Sequence, residues 1–198
     1  MDNKQLLKDF ENQFASNPDL AKVFNNECDF YFKNDISVND DILICGEESN
    51  YQIYPFGKDS MGGVYCLLDD KYVGYISSEG GCGIIAKNVK EFFNLMSVCK
   101  VLSYYFNKGN FDNVIIFAQK HEEIVGDVAE EENKPIYEEF IKQNNFETEI
   151  PKIYKMFKEA LITEPSFTLQ ANPEEYMPWD DVFYTNQAYI KKLREENK

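Results

Sequence analysis

Apolar residues recur at helical spacing from the start of the chain. Leu6, Leu7, Phe10 and Phe14 share one side of a helical wheel, which predicts an amphipathic helix over residues 3–14. Asn17-Pro18 then has the form of an N-cap followed by proline at the first helical position, with Leu20, Val23 and Phe24 carrying a second, shorter helix. The pattern changes after residue 28. Asp29–Phe32 and Ile42–Cys45 are short apolar runs between turn-prone residues, and both read as strands. Tyr51–Phe56 alternates, and Pro55 assigns it to a sheet edge or a strand end. Val64–Leu68 is apolar without interruption, as expected of a strand covered on both faces. Asp69-Asp70-Lys71 is a tight polar connection, and Tyr72–Ile76 returns to complete a β-hairpin. Ile84–Ala86 is a third short strand in this region.

Asn88, with Glu91 three residues on, forms a capping box. The helix it starts carries Val89, Phe92, Phe93, Leu95, Met96, Cys99 and Leu102, an apolar face wide enough to predict burial. Beyond Gly109 the pattern is mainly helical. Val114–Phe117 leads into 119–124, Ile136, Tyr137, Phe140 and Ile141 mark another helix, and Ile153, Tyr154, Phe157 and Leu161 mark a third that starts near Pro151. The proline-containing stretch 164–183 reads as irregular with one short strand, and residues 186–197 as a polar helix. These elements predict an α+β fold. A mixed, mostly antiparallel sheet of about four to six strands is flanked by helices, with a helical C-terminal extension. They form a single domain over residues 1–198, with the core roughly in 1–108 and the helical part roughly in 109–198.

Composition narrows the class. Aromatic residues make up 15% of the 198, enough for a packed globular core without disulfides. The five cysteines are odd in number, far apart and free of any CxxC pair, which fits reduced, buried thiols in a cytoplasmic protein. The first residues carry no basic stretch followed by an apolar run, so no signal peptide is predicted, and no apolar stretch is long enough to predict a membrane span. The net charge of −15 repels phosphate backbones and anionic membrane surfaces, which argues against nucleic-acid and membrane partners. It favours a basic protein partner. Arg194 is the only arginine, so almost no guanidinium is available to grip phosphate.

The candidate chemistry is sparse. Gly80, Gly81 and Gly83 fit neither a P-loop nor a dinucleotide fingerprint, and they precede a strand instead of opening a helix. They read as a sharp bend that uses positive φ. His121 sits in a charged helical stretch and reads as an exposed surface histidine. No serine or cysteine stands in a nucleophile motif, and no Cys/His cluster has zinc spacing. Glu130-Glu131-Glu132 and Glu174-Glu175 read as solvated surface. Two sites are singled out for a partner: Glu79, projecting from the glycine bend, and Trp179-Asp180-Asp181, where the only tryptophan stands beside two acids and is either a core residue, the more ordinary reading, or an exposed anchor.

The stretch from Tyr54 to Leu95 resembles the middle of SUKH-superfamily proteins, which include many bacterial toxin-immunity proteins and the yeast cell-wall-synthesis regulator. The features that carry the resemblance are Phe56-Gly57, Asp59, Gly62-Gly63, Val64–Leu68, Asp69-Asp70, Val73-Gly74-Tyr75, Ser78-Glu79-Gly80 and Glu91-Phe92-Phe93. It implies an α+β fold and protein binding without catalysis or a cofactor: an immunity protein that blocks a cognate toxin domain. Asp59, Asp69, Asp70, Glu79, Trp179, Asp180 and Asp181 are then the candidate partner-binding residues. A regulatory or scaffold protein of the same fold is the alternative, and an enzyme with an unrecognised carboxylate site is the remote one.

Overall fold

The structure, a computed structural model, describes residues 2–32, 48–78, 81–106, 109–170 and 187–197. The predicted strand over Ile42–Cys45, and the candidates Glu79, Trp179, Asp180 and Asp181, lie outside these residues.

Two helices open the chain. The first, α1 (Asn3–Ser16), starts where the Asp2 side chain accepts the Lys4 N–H. Asn17 then caps α2 (Pro18–Glu27) by accepting the Leu20 N–H, with Pro18 at the start of the helix. The strands follow: β1 (Tyr31–Phe32), β2 (Glu48–Ser49), β3 (Ile53–Lys58), β4 (Val64–Leu68), β5 (Tyr72–Ile76) and β6 (Cys82–Ala86). Strands β1, β3, β4, β5 and β6 form an antiparallel sheet in that order. β2 pairs separately with β7 (Leu169–Gln170). Helix α3 (Val89–Cys99) is capped by Asn88, and four α-helices follow among the described residues: α4 (Val114–Val128), α5 (Lys134–Asn144), α6 (Ile150–Leu161) and α7 (Gln187–Glu196). The architecture is α+β with a helical C-terminal part.

The uninterrupted run in β4 is explained by two apolar clusters, one on each face of the sheet. Tyr65 and Leu67 join Phe56, Val73, Tyr75 and Ile85 on the face packed against α3. Cys66 and Leu68 join Ile76, Cys82 and Ile84 on the other face, under Tyr51, Phe167 and Leu169. The first cluster runs on without a break from Leu7 and Phe10 in α1 to Phe117, Phe140, Phe157 and Leu193 in the C-terminal helices. Those helices therefore complete the main core and do not form a separate lobe.

Two local expectations are corrected. β3 is flanked by β1 and β4, so it is not the edge strand; but β1 pairs only with Lys58 and Gly57, and Pro55 lies beyond it, so its missing N–H costs no ladder bond there. Gly83 lies inside β6 opposite Tyr75, in extended backbone and not in a sharp loop. Among the described residues of this part of the chain, Gly62 uses positive φ, at 91°, in the turn between β3 and β4, and Gly80 lies outside them. Among the described residues no helix is long and apolar enough to cross a membrane.

Candidate protein-binding face

The described acids of the sheet are held by backbone. Asp59 is 4% exposed. Its Oδ1 accepts the N–H groups of Gly63 at 2.7 Å and Met61 at 3.0 Å, and its Oδ2 accepts the Tyr75 hydroxyl at 2.6 Å. A Cβ at Gly63 would collide with that carboxylate and with the Tyr75 hydroxyl, so Asp59, Gly63 and Tyr75 form one unit. Asp59 is thus withdrawn from the partner-binding set: its oxygens are spent inside the turn.

Asp69 and Asp70 have φ of 51° and 55°, as the two central positions of a type I′ hairpin turn require, and Lys71 N–H closes the turn on Leu68 O at 2.9 Å. Asp69 Oδ1 accepts the Gln52 N–H at 2.7 Å. Asp70 Oδ1 accepts the Lys4 N–H at 3.1 Å, while Asn3 donates to the carbonyls of Asp70 and Lys71 and accepts from Val89 N–H. The acidic turn therefore fastens the hairpin to the starts of α1 and α3. Burial and the neighbouring Asp2 push the Asp70 carboxyl upward, whereas its bond with Asp70 and the Lys4 N–H hold Asp2 down.

A second group of charges lies under the C-terminal helices. Glu27 ends α2 at 1% exposure. Its Oε1 accepts the Glu130 N–H at 3.2 Å and the Asn133 side-chain amide at 2.7 Å. Its Oε2 accepts no hydrogen bond and stands 3.4 Å from Lys100 Nζ. Lys100 follows α3 with φ 65° and ψ −117°, a region that side chains avoid at about 1–3 kcal/mol, and its ammonium lies 2.7 Å from the centre of the Tyr137 ring. Burial lowers the Lys100 pKa. Burial likewise raises Cys28 and Cys99 to about 12, so both are thiols at neutral pH and poor nucleophiles.

His121 joins the same region. It is half-buried, not exposed as its charged neighbours suggest, because its Nδ1 lies 3.0 Å from the Tyr105 hydroxyl on the 3-10 turn Leu102–Tyr105. Burial lowers its pKa. A separate groove of about 270 Å³ opens between α1, α2 and β1, with Glu11 the carboxylate among its lining residues. Burial raises Glu11.

Among the acids open to solvent, which include Asp9, Asp19 and Glu139 elsewhere, one run lies on α4 and the connection after it. Phe117 and Ile124 turn inward, so the outward side carries Ile115, Ile116, Gln119, Glu122, Glu123 and Asp127. Glu130, Glu131 and Glu132 follow in the exposed turn to α5, whose start is anchored from below by Glu27. Residues 122–132 hold six carboxylates and no lysine or arginine. Glu123 pairs with Lys120 at 2.8 Å, and Glu131 lies 3.8 Å from Lys134; among the described residues Glu122, Asp127 and Glu132 form no ion pair. The signal for this face was present in the sequence as the glutamate triplet. It becomes a surface only when α4 places three more acids in line with it.

Comparison with protein-family models, with curated proteins and with solved structures finds no match.

Proposed function

We propose that this chain is a non-catalytic protein-binding module, an immunity-type protein that occupies and neutralises a basic toxin domain, as its SUKH-like residues imply. The observation that carries this reading is the placement of the α4 acids. Glu122, Glu123 and Asp127 crowd the C-terminal half of their helix, and no basic residue stands in its last turn. Carboxylates there oppose the helix dipole, at about 0.3–1 kcal/mol for a charge near the terminus. Acids placed for stability would stand at the other end. Acids placed for a cationic partner gain from being open and unpaired.

The test is binding between the purified chain and the product of the gene next to its own, by calorimetry at low and high salt. Nanomolar affinity that weakens with salt supports the reading, because exposed charge pairs are screened over a Debye length of about 8 Å at physiological ionic strength. The reading is overturned if the chain binds no basic protein and instead shows a thermal shift with a metal or small molecule together with turnover.

A further inference from the structure

We infer that the outward face of α4 is the docking surface for the basic partner, with Ile115 and Ile116 as the apolar anchor and Glu122, Glu123 and Asp127 as the acidic rim. This rests on the reading that the chain binds a basic protein, and it names the surface.

The two isoleucines argue for the anchor. Ile115 is 68% exposed and Ile116 37%, at the start of a helix whose core contacts are made by other residues. Asn113 already accepts both of their N–H groups, at 3.0 Å each, so the cap that starts the helix needs no apolar side chain at either position. Folding therefore gains little from β-branched residues here, and leaving them in water forfeits burial worth about 1.5–3 kcal/mol for each side chain fully covered.

Charge decides the occupant. One helix face joins the isoleucines to three carboxylates along the length of α4, and Glu130–Glu132 continue it without a compensating arginine. A second copy of this chain would bring the same acids against them. A cationic surface with an apolar patch at one end would instead cover the isoleucines and pair the acids, matching the usual division of an interface into an apolar centre and a polar rim.

The probe is a short synthetic lysine–leucine peptide with helical amphipathic spacing, titrated into the isotope-labelled full chain and followed by amide NMR shifts. The expected result is a set of shifts confined to residues 113–132. Ile115→Ser with Ile116→Ser should then weaken the peptide at least about tenfold, which corresponds to 1.4 kcal/mol. Both positions are exposed, so an unchanged amide spectrum elsewhere would report an intact fold. Neutralising Glu122, Glu123 and Asp127 should weaken it similarly, whereas neutralising Asp9, Glu138 and Glu139 should not. Shifts centred elsewhere, or equal affinity in the isoleucine variant, would overturn the assignment while leaving salt-sensitive binding of a basic protein intact as a function. Concentration-dependent self-association through residues 113–132 without peptide would overturn it in favour of a second copy. Should the unmodified chain bind neither the peptide nor the basic protein, the function falls along with the surface.

Discussion

The acids of the β3–β5 turns and the acids of α4 have the same chemistry and opposite circumstances. Asp59, Asp69 and Asp70 each accept at least one backbone N–H, and Asp59 accepts two and a hydroxyl as well. On α4, Glu122 and Asp127 are exposed, and among the described residues the ion-pair partner of Glu123 is the neighbouring Lys120. A carboxylate bound to backbone donors has its charge committed to the fold. One left open at the disfavoured end of a helix is available to a partner. The residues that carry the SUKH resemblance fall mainly in the first class. Asp59, Gly63 and Tyr75 interlock, and Gly74 packs so closely that a Cβ would lie 2.7 Å from Leu68 Cδ1. A signature of this kind marks how a hairpin is built. It does not by itself locate a binding face.

The largest effect separating buried from open acids is expected at Glu27. Glu27→Ala removes the acceptor for Glu130 N–H and Asn133 and leaves the Lys100 ammonium buried without its counter-charge. Breaking a buried pair in this way costs about 3–5 kcal/mol, read from urea unfolding. A loss below about 1 kcal/mol would mean that Lys100 escapes to solvent or sheds its proton when Glu27 is gone, and that the pair does not hold the turn beneath the acidic face. Glu27→Gln sharpens the result, since an amide oxygen can still accept the Glu130 N–H but cannot neutralise Lys100.

Next in size is Asp59→Ala, expected to lower stability by about 2–3 kcal/mol because Gly63 N–H and the Tyr75 hydroxyl lose a charged acceptor in a buried site. Affinity for a basic partner, measured at a temperature where the variant remains folded, should not change. A variant that folds normally yet loses binding would return Asp59 to the partner-binding set.

Much of this frame was legible in the sequence because it is local. Asn17-Pro18 and Asn88 announce helix starts through side chains that reach only three residues ahead, and the structure places a cap at each. The unbroken apolar run of β4 announces two covered faces, and both clusters are present. What was not legible depends on distant partners. A lysine just past a helix looks like a surface charge completing the dipole, and nothing near Lys100 reveals that Glu27 and Tyr137 will enclose it. His121 has charged neighbours on both sides, but its environment is set by Tyr105, on another element. Asp59 shows the same dependence: the resemblance places it among the partner-binding candidates, and its burial is set by Tyr75, on another strand.

A smaller effect is expected from pH. Burial lowers the His121 pKa below its ordinary value of 6.5, so between that value and the folded one the unfolded chain binds more protons. Stability should be fully present above about pH 6.5 and fall as pH drops through this window. The Tyr105 hydroxyl meets the ring, Glu122 and Lys100 are the charges that act on it, and protonation would turn Nδ1 into a donor toward a hydroxyl that now can donate to it. Thermal midpoints between pH 7.5 and 5 test this, with His121→Gln expected to flatten that part of the profile. A wild-type profile rising toward acid would place the imidazolium, not the neutral ring, in the folded state.

The smallest stability effect carries the sharpest distinction. Glu122→Gln, Glu123→Gln and Asp127→Asn together remove three negative charges from the C-terminal half of α4 and lose one exposed pair with Lys120. The lost pair is worth about 0–1 kcal/mol, and relief of the unfavourable dipole interaction near the last turn is of similar size and opposite sign. The thermal midpoint should therefore stay level or rise slightly. Binding of a basic partner should weaken and lose most of its salt dependence, since the charges that screening acts on are gone. Affinity then falls while stability holds, the converse of Asp59→Ala, because in the hairpin turns the charge and the fold are the same bonds. If the triple variant unfolds earlier, the α4 acids are structural after all and the contrast between the two regions disappears.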